Sequence, residues 1–122
     1  MGKQNKKIAV TGGSGFIGSA VVKVLLENGY EVVNFSLEPP AGFRRSWFIK
    51  GDVTDFPALL TASRGCDGLI HMAAKVGLYG KFRDFYKVNV MGTGNVITAC
   101  RENGIPRLVY TNRWVAPRRL AC

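Results

Sequence analysis

Cysteines are few, and no apolar run approaches the ~20 residues that a membrane-spanning helix needs. The 122 residues include three cysteines, Cys66, Cys100 and Cys122, and one histidine. An odd number of cysteines without metal-ligand spacing argues against a disulfide framework and against a metal site, and favours reduced thiols in the cytoplasm. The N-terminal MGKQNKK has no apolar core behind it and carries Lys6 where myristoylation needs Ser or Thr, so neither signal is expected. We expect one cytoplasmic domain without a membrane span.

Acidic residues are scarce, since 8 Asp and Glu face 17 Lys and Arg for a net charge of +9. Two clusters near the ends of the chain carry much of this excess: Lys3, Lys6, Lys7, Arg113, Arg118 and Arg119. Between them the chain is only mildly basic, and no basic helix is interleaved with aromatic residues. We therefore expect no nucleic-acid binding, and interpret the charge as solvated tails that help to attract an anionic cofactor.

The most informative stretch begins with a short apolar strand and continues through Gly12, Gly15 and Gly18 into an apolar helical pattern. A strand that turns through glycines into a helix is typical of pyrophosphate binding. Gly12 permits the tight turn, Gly15 lets the backbone approach the phosphates, and Gly18 allows close packing of the helix. The alternative is a glycine-rich turn that only joins two core elements.

The first helical turn supplies the groups that would face such an anion. The N–H groups around Ser14, Gly15, Phe16 and Ile17 lack helical acceptors, and the helix dipole adds roughly half a positive charge there. These residues, with Gly12 and Gly18, are therefore candidate cofactor-binding residues.

Strand and helix patterns alternate along the chain. Strands are predicted at 7–11, 31–37, 46–50, 68–72 and 107–111, and helices at 15–28, 55–63 and 82–103. Thr54 is the expected N-cap of the second helix, and Gly29 the residue that ends the first. Gly92 and Gly94 in the last helix predict the close approach of a backbone or ligand. The pattern predicts an α/β fold, a doubly wound parallel sheet of order 3-2-1-4-5, with a ligand crevice between strands 1 and 4.

Five ordered motifs then identify a family. They are TGGSGFIG at 11–18, GDVTD at 51–55, DGLIHMAA at 67–74, NVMGTGNV at 89–96 and RLVYT at 107–111. The chain resembles the extended short-chain dehydrogenase/reductase family over most of its length. AAKVGLYG followed by DFYKVNV is most similar to 3β-hydroxysteroid and sterol dehydrogenases, with nucleotide-sugar epimerases and dihydroflavonol-reductase-like proteins as rivals. The resemblance implies a Rossmann fold, truncated after about five strands, that binds NAD or NADP.

The resemblance also implies roles for residues after the glycine loop. Asp52 would accept a hydrogen bond from the adenine amino group, and Val53 would pack on the ring. An ordinary turn Asp at the end of a strand is the alternative for Asp52. Ala73 and Ala74 would line the path of the ribose and phosphates, and Lys75 would either approach the cofactor or remain a solvated loop lysine.

Three further residues lie near the ends of later elements. Asn89 would hold its helix against the loop that follows strand 4, and Thr111, which ends RLVYT, completes the cofactor-binding set. His71 is expected to be a packed, hydrogen-bonded histidine and not a catalytic base.

The choice between NAD and NADP depends on the end of strand 2. An acidic residue there typically binds the ribose 2′-hydroxyl of NAD. Ser36 occupies this position, with Glu38 two residues further on, while Arg44 and Arg45 could accommodate a 2′-phosphate. The sequence leaves both cofactors open.

The family's acid/base pair is missing, because no tyrosine is followed four residues later by lysine. Arg113 stands where a serine-rich segment is expected, so residues 1–112 are assigned to an incomplete NAD(P)-binding domain and 113–122 to a basic tail without family likeness. We expect a frameshift or premature stop, an exposed sheet edge that favours self-association, and no catalytic or metal-binding residue. The predicted function is NAD(P) binding as part of an oxidoreductase, without turnover. The alternatives are a non-catalytic nucleotide-sensing or partner-binding module, or a truncated product without function.

Overall fold

The computed structural model describes residues 6–40, 47–72 and 87–111. A parallel sheet carries helices on both faces, and its strand order, β3-β2-β1-β4-β5, is the predicted one. The elements in chain order are β1 Lys7–Thr11, α1 Phe16–Glu27, β2 Glu31–Ser36, β3 Trp47–Lys50, α2 Phe56–Ala62, β4 Gly68–His71, a π-helical turn Lys87–Met91, α3 Gly92–Asn103 and β5 Arg107–Tyr110.

Strand β1 lies at the centre of the sheet. Ile8 is in register with Val32 of β2 on one side and with Gly68 of β4 on the other. The chain crosses from one side of β1 to the other between β3 and β4, so the strand order reverses at this point. The carboxyl ends of β1 and β4 therefore border the crevice in which doubly wound sheets bind ligands.

Each face of the sheet has its own apolar core, because successive side chains of a strand point to opposite faces. On one face α1 packs Val22 against Val10 and Val32. The other face is covered by α2 and α3, and its core includes Ala9, Val33, Phe35, Leu59, Leu69, Val96 and Ala99. The central strands are thus buried on both sides, as expected of a parallel sheet.

The start of α2 corrects one prediction, since its N-cap is Asp55 and not Thr54. The Asp55 carboxylate accepts the N–H of Ala58 at 3.3 Å. A tight turn precedes the helix, in which Asp52 accepts the N–H of Thr54 on its side chain and the N–H of Asp55 on its carbonyl. This turn moves the start of the helix one residue along the chain.

The glycines near other helix ends give mixed outcomes. Gly29 has φ +86°, in agreement with the predicted left-handed position after α1. The close approach of a neighbouring backbone expected at Gly94 is wrong, because a Cβ there would have no atom of the described residues within 4 Å, and the approach of a ligand stays a prediction. The predicted helix 82–103 is a π-helical turn followed by α3 from residue 87 onward, and residues 82–86 lie outside the described residues.

In the described part of the chain the longest helices, α1 and α3, have 12 residues each, and none is long and apolar enough to cross a membrane. Among these residues, no group of three or more His, Cys, Asp or Glu side chains is placed to hold a metal ion.

Candidate functional site

The glycine loop after β1 has the geometry that its sequence predicts. Gly12 adopts φ +77°, donates its N–H to the carbonyl of Phe35 at 2.9 Å, and accepts the N–H of Gly15 at 3.1 Å. A Cβ on Gly18 would overlap the carbonyl oxygen of Gly12. The tight turn at Gly12 and the close packing at Gly18 are therefore confirmed, and the loop and the start of α1 form one packed unit.

The N-terminus of α1 is open. Its N-cap, Gly15, provides no side-chain hydrogen bond, and the first turn contains no acidic residue. The prediction of free N–H groups is wrong for Ser14 and Gly15, which donate to Ser36 Oγ and to the Gly12 carbonyl. Within the described residues, the N–H groups of Phe16, Ile17 and Gly18 have no acceptor. The Phe16 side chain is 94 % exposed, so no described residue packs closely on it at this end of the helix. Uncapped N–H groups together with the positive end of the helix dipole form a site for an anion such as a pyrophosphate.

A closed ring of hydrogen bonds fastens the loop to β2. Asn34, which is 1 % exposed, donates from Nδ2 to Ser14 Oγ at 3.0 Å and accepts the Ser36 hydroxyl on Oδ1 at 2.6 Å. Ser36 Oγ in turn accepts the N–H of Ser14 at 3.2 Å. We call Ser14, Asn34 and Ser36 the serine–asparagine ring. It connects two predicted site residues through one that the sequence analysis missed.

Asn34 and Gly13 were not among the predicted site residues. A Cβ on Gly13 would lie 2.5 Å from Asn34 Oδ1, so the loop packs directly on this amide. An asparagine inside the otherwise apolar stretch EVVNF was the available signal, because a buried polar side chain needs partners.

A second chain of hydrogen bonds runs from β1 through β4 to α3. Thr11 Oγ1 lies 2.7 Å from His71 Nδ1, and His71 Nε2 lies 3.1 Å from Thr93 Oγ1. The Thr93 hydroxyl donates to the carbonyl of Asn89 at 2.8 Å, so Nε2 carries the proton and Nδ1 accepts one from Thr11. We call Thr11, His71 and Thr93 the histidine chain.

The imidazole of His71 is only 1 % exposed, and it stacks on the ring of Tyr110 with 5.5 Å between the centroids. Desolvation by burial lowers the pKa of His71 from 6.5 to about 4. The ring is therefore neutral at physiological pH, and the prediction of a packed, hydrogen-bonded histidine is confirmed.

Asn89 and Thr111 meet the same histidine from two elements. Asn89 supplies the carbonyl that ends the histidine chain, while Thr111 donates both its N–H and its hydroxyl to the carbonyl of His71, each at 3.2 Å. Both residues lie near the carboxyl end of β4, where the crevice begins. Their contact with a cofactor remains a prediction.

Asp52 and Val53 follow β3 at the same edge of the sheet. Asp52 Oδ1 accepts the N–H of Thr54 at 2.9 Å, which is the contact of a turn residue. The side chain of Val53 is buried in the core, and its carbonyl accepts Asn95 Nδ2 at 2.9 Å. The adenine contacts of Asp52 and Val53 stay predictions, and Ala73, Ala74 and Lys75 lie outside the described residues.

Comparison with known proteins decides which family this geometry represents. The model of the 3-beta hydroxysteroid dehydrogenase/isomerase family matches residues 9–116. The chain belongs to this family. The match includes the glycine loop, both hydrogen-bonded groups and all of β2 to β5, and it extends four residues past the predicted domain boundary at 112.

Curated relatives of this family member include a reductase and a dehydrogenase that are named for different substrates. A 2-alkyl-3-oxoalkanoate reductase of Stenotrophomonas maltophilia is 44 % identical over 87 % of this chain and 33 % of the relative. The decarboxylating sterol-4-alpha-carboxylate 3-dehydrogenase of Mus musculus is 37 % identical over 88 % of this chain and 30 % of the relative. The chain thus spans about a third of the length of these relatives.

Two solved structures complexed with NAD have the same fold over this segment. A variant of uronate dehydrogenase from Agrobacterium tumefaciens complexed with NAD superposes with TM-score 0.76 at 27 % identity, covering 89 % of this chain and 41 % of that one. The enzyme WbmH from Bordetella bronchiseptica in complex with NAD⁺ gives TM-score 0.78 at 27 % identity, covering 88 % and 38 %. The predicted Rossmann fold and family are therefore confirmed.

Proposed function

We propose that this chain binds NAD or NADP as the dinucleotide-binding portion of an oxidoreductase that acts on a sterol, a related secondary alcohol or ketone, or a nucleotide sugar. The observation that carries the proposal is the open N-terminus of α1 behind the packed glycine loop. The relatives complexed with NAD and the reductases and dehydrogenases of the family support the cofactor and the reaction class.

The residues present fit a dinucleotide. The N–H groups of Phe16, Ile17 and Gly18 would hold the pyrophosphate. Among the described residues, the only atom within 4 Å of a Cβ built on Gly15 is the Gly12 carbonyl oxygen at 3.4 Å, so the backbone at Gly15 is open to a ligand. Ser36 and Asp52 lie at the sheet edge toward β3, where the adenosine would bind, and the end of β4 would border the nicotinamide half. The bound cofactor supplies hydride transfer to or from a carbon that bears oxygen.

The chain's own contribution in this proposal is binding and orientation. The serine–asparagine ring and the histidine chain hold the two walls of the crevice. Both ring nitrogens of the neutral His71 are engaged in hydrogen bonds in this role. No tyrosine in the 122 residues is followed four residues later by lysine. We therefore propose binding without turnover for these residues taken by themselves.

Thermal-shift titration of the purified chain with NADH and NADPH tests the proposal. Ligand at 100 times its Kd adds about 2.7 kcal/mol to the stability of the native state, which moves the melting temperature by several degrees. A saturable shift with either dinucleotide supports the proposal, and the absence of any shift with both contradicts it.

A matched pair of variants shows whether the open helix end is responsible. Phe16→Pro removes one N–H that faces the anion, and proline is well tolerated at the first helical position after the extended Gly15. Phe16→Ala removes the same exposed ring and keeps the N–H. We expect about tenfold weaker binding for Phe16→Pro than for Phe16→Ala, since a hydrogen bond to a charged group is lost. Equal affinities would exclude this N–H as a ligand of the pyrophosphate.

We also propose that the chain self-associates through β5. All four residues of this strand are exposed, including the apolar Val109 at 53 %, and within the described residues β5 pairs with β4 alone. An exposed edge strand with apolar side chains is a template for pairing with a second copy. Sedimentation at rising concentration should show dimers or larger species, which Val109→Lys should reduce without lowering the melting temperature. A monomer at all concentrations would overturn this proposal.

We infer that the chain acts in the cytosol. The two cysteines in the described part of the chain, Cys66 and Cys100, are free and buried, as is usual in a reducing compartment. Cell fractionation with an antibody to the chain tests this inference, and recovery in a secreted or membrane fraction would contradict it.

A further inference from the structure

The hydroxyl of Ser36 is already used by the protein. It donates its proton to Asn34 Oδ1 at 2.6 Å and accepts the N–H of Ser14 at 3.2 Å. Ser36 stands where dehydrogenases that use NAD place a carboxylate for the ribose 2′-hydroxyl. With its only proton given to Asn34, Ser36 cannot donate to a 2′-oxygen, and it brings no negative charge to repel a phosphate there.

A lysine lies beside this position on the neighbouring strand. Ser36 is in register with Lys50 in the parallel β2–β3 pair, and the N–H of Gly51 donates to the Ser36 carbonyl at 2.9 Å. Residues in register in a parallel pair project from the same face of the sheet. Ser36 projects toward the glycine loop on the α1 face, so Lys50 belongs to that face too, at the end of the last strand on this side.

Lys50 is exposed, which leaves its ammonium group available to a ligand. The carboxylates nearest in sequence to this edge are Glu38, two residues after Ser36, and Asp52, two residues after Lys50. Asp52 Oδ1 is occupied by the N–H of Thr54 at 2.9 Å. The position beside Ser36 thus carries a cation from β3, and β2 ends there in a serine and not in an acid.

We propose that Lys50 binds the 2′-phosphate of the adenosine ribose, so that the site prefers NADP(H) to NAD(H). This inference rests on the proposed dinucleotide binding and adds its specificity. Lysine is a common ligand of phosphate as a point charge, and its effect is screened by salt.

Titration calorimetry with NADPH and NADH on the purified chain tests the inference, because the two probes differ only in the 2′-phosphate. We expect NADPH to bind at least about tenfold more tightly than NADH at low salt, which corresponds to about 1.4 kcal/mol. Lys50→Gln should weaken NADPH about five- to tenfold and change NADH less than twofold. Raising the salt concentration should reduce the difference between the two ligands.

Arg64→Gln is the matched control. Arg64 is exposed, and it lies between the end of α2 and the start of β4. It is therefore near the amino ends of the strands, whereas Ser36 lies at their carboxyl ends. Arg64→Gln removes one positive charge, as Lys50→Gln does, so any loss of NADPH affinity from general electrostatic attraction appears in both variants. A similar loss of NADPH affinity in both variants would overturn the inference.

The two levels of the proposal fail in different ways. If neither dinucleotide binds, the proposed function is wrong. If both bind but NADH is equal or tighter, or Lys50→Gln leaves NADPH affinity unchanged, then dinucleotide binding stands and the assignment of Lys50 is wrong.

Discussion

The two sides of β1 carry different polar groups at the same end of the sheet. Toward β2, the serine–asparagine ring holds the glycine loop with hydroxyl and amide groups that do not titrate. Toward β4, the histidine chain holds the start of α3 through an imidazole that can gain a proton. Both walls of the crevice depend on buried polar contacts, but only one of them responds to pH.

Among the changes that test this difference, removal of the imidazole should lower the free energy of unfolding the most. His71→Ala leaves a cavity and deprives the hydroxyls of Thr11 and Thr93 of a buried partner, and it should lower the free energy of unfolding by about 3–4 kcal/mol. Urea denaturation measures the loss. Thr93→Val removes one hydroxyl from the same chain and should lower the stability by about 1 kcal/mol. Equal losses in the two variants would mean that the ring itself contributes little.

Acid should weaken the β4 side and leave the β2 side unchanged. The pKa of His71 is lowered to about 4 in the folded chain, while the unfolded chain has the ordinary value of 6.5. The unfolded state therefore binds more protons in this interval, so stability is complete above pH 6.5 and is lost as the pH falls toward 4. The loss should approach about 3 kcal/mol.

Denaturation at several pH values measures this dependence against His71→Gln. His71 is the single histidine of the sequence, so this variant should lack the part of the pH dependence that is specific to imidazole. A wild type and variant with parallel pH profiles between 6.5 and 4 would contradict the assignment.

Breaking the serine–asparagine ring should have an intermediate effect. Asn34→Ala removes two side-chain hydrogen bonds and leaves the Ser14 and Ser36 hydroxyls with fewer partners, which should lower the stability by about 2 kcal/mol. The loss should be the same at pH 7 and pH 5.5, unlike that of the histidine chain. Chemical denaturation at both pH values checks it, and a pH-dependent loss would show that the two sides are coupled.

The smallest effect is expected at Ser36. Ser36→Ala removes the donor to Asn34 and the acceptor of the Ser14 N–H, while the bond between Ser14 Oγ and Asn34 remains. We expect a loss of about 1 kcal/mol in the free energy of unfolding, measured in the same denaturation assay. A loss larger than that of Asn34→Ala would identify the serine, and not the amide, as the centre of the ring.

The features that follow from local chemistry were predictable from the sequence. The strand order came from the alternation of strand and helix patterns with right-handed crossovers. The turn at Gly12 and the packing at Gly18 came from glycine spacing, because glycine adopts a positive φ readily and is the only residue without a Cβ. The predicted start of α2 was one residue too early, because capping preferences alone do not show that Asp52 forms a turn with Thr54 before the helix.

The features that depend on distant residues were not predictable. Thr11 and His71 are 60 residues apart in sequence, and His71 and Thr93 are 22 apart, so only the folded sheet shows that they form one chain of hydrogen bonds. Asn34 is polar in an apolar strand, but only the folded structure shows that its amide reaches Ser14, 20 residues earlier in the glycine loop. Gly94 indicated a close backbone or ligand, and no described backbone lies there, because a helix also tolerates glycine on an open surface.

The position of β1 at the centre of the sheet has a consequence for the order of events during synthesis. Its β2 side can pair as soon as residue 36 has left the ribosome, whereas its β4 side must wait for residue 71 and the histidine chain for residue 93. The nascent chain therefore holds a half-paired first strand while about 35 further residues, from 37 to 71, are added at ~5–20 residues per second. During those seconds the glycine loop is already synthesised, but the crevice between β1 and β4 has not yet formed. The exposed side of β1 is therefore a candidate for protection by a chaperone.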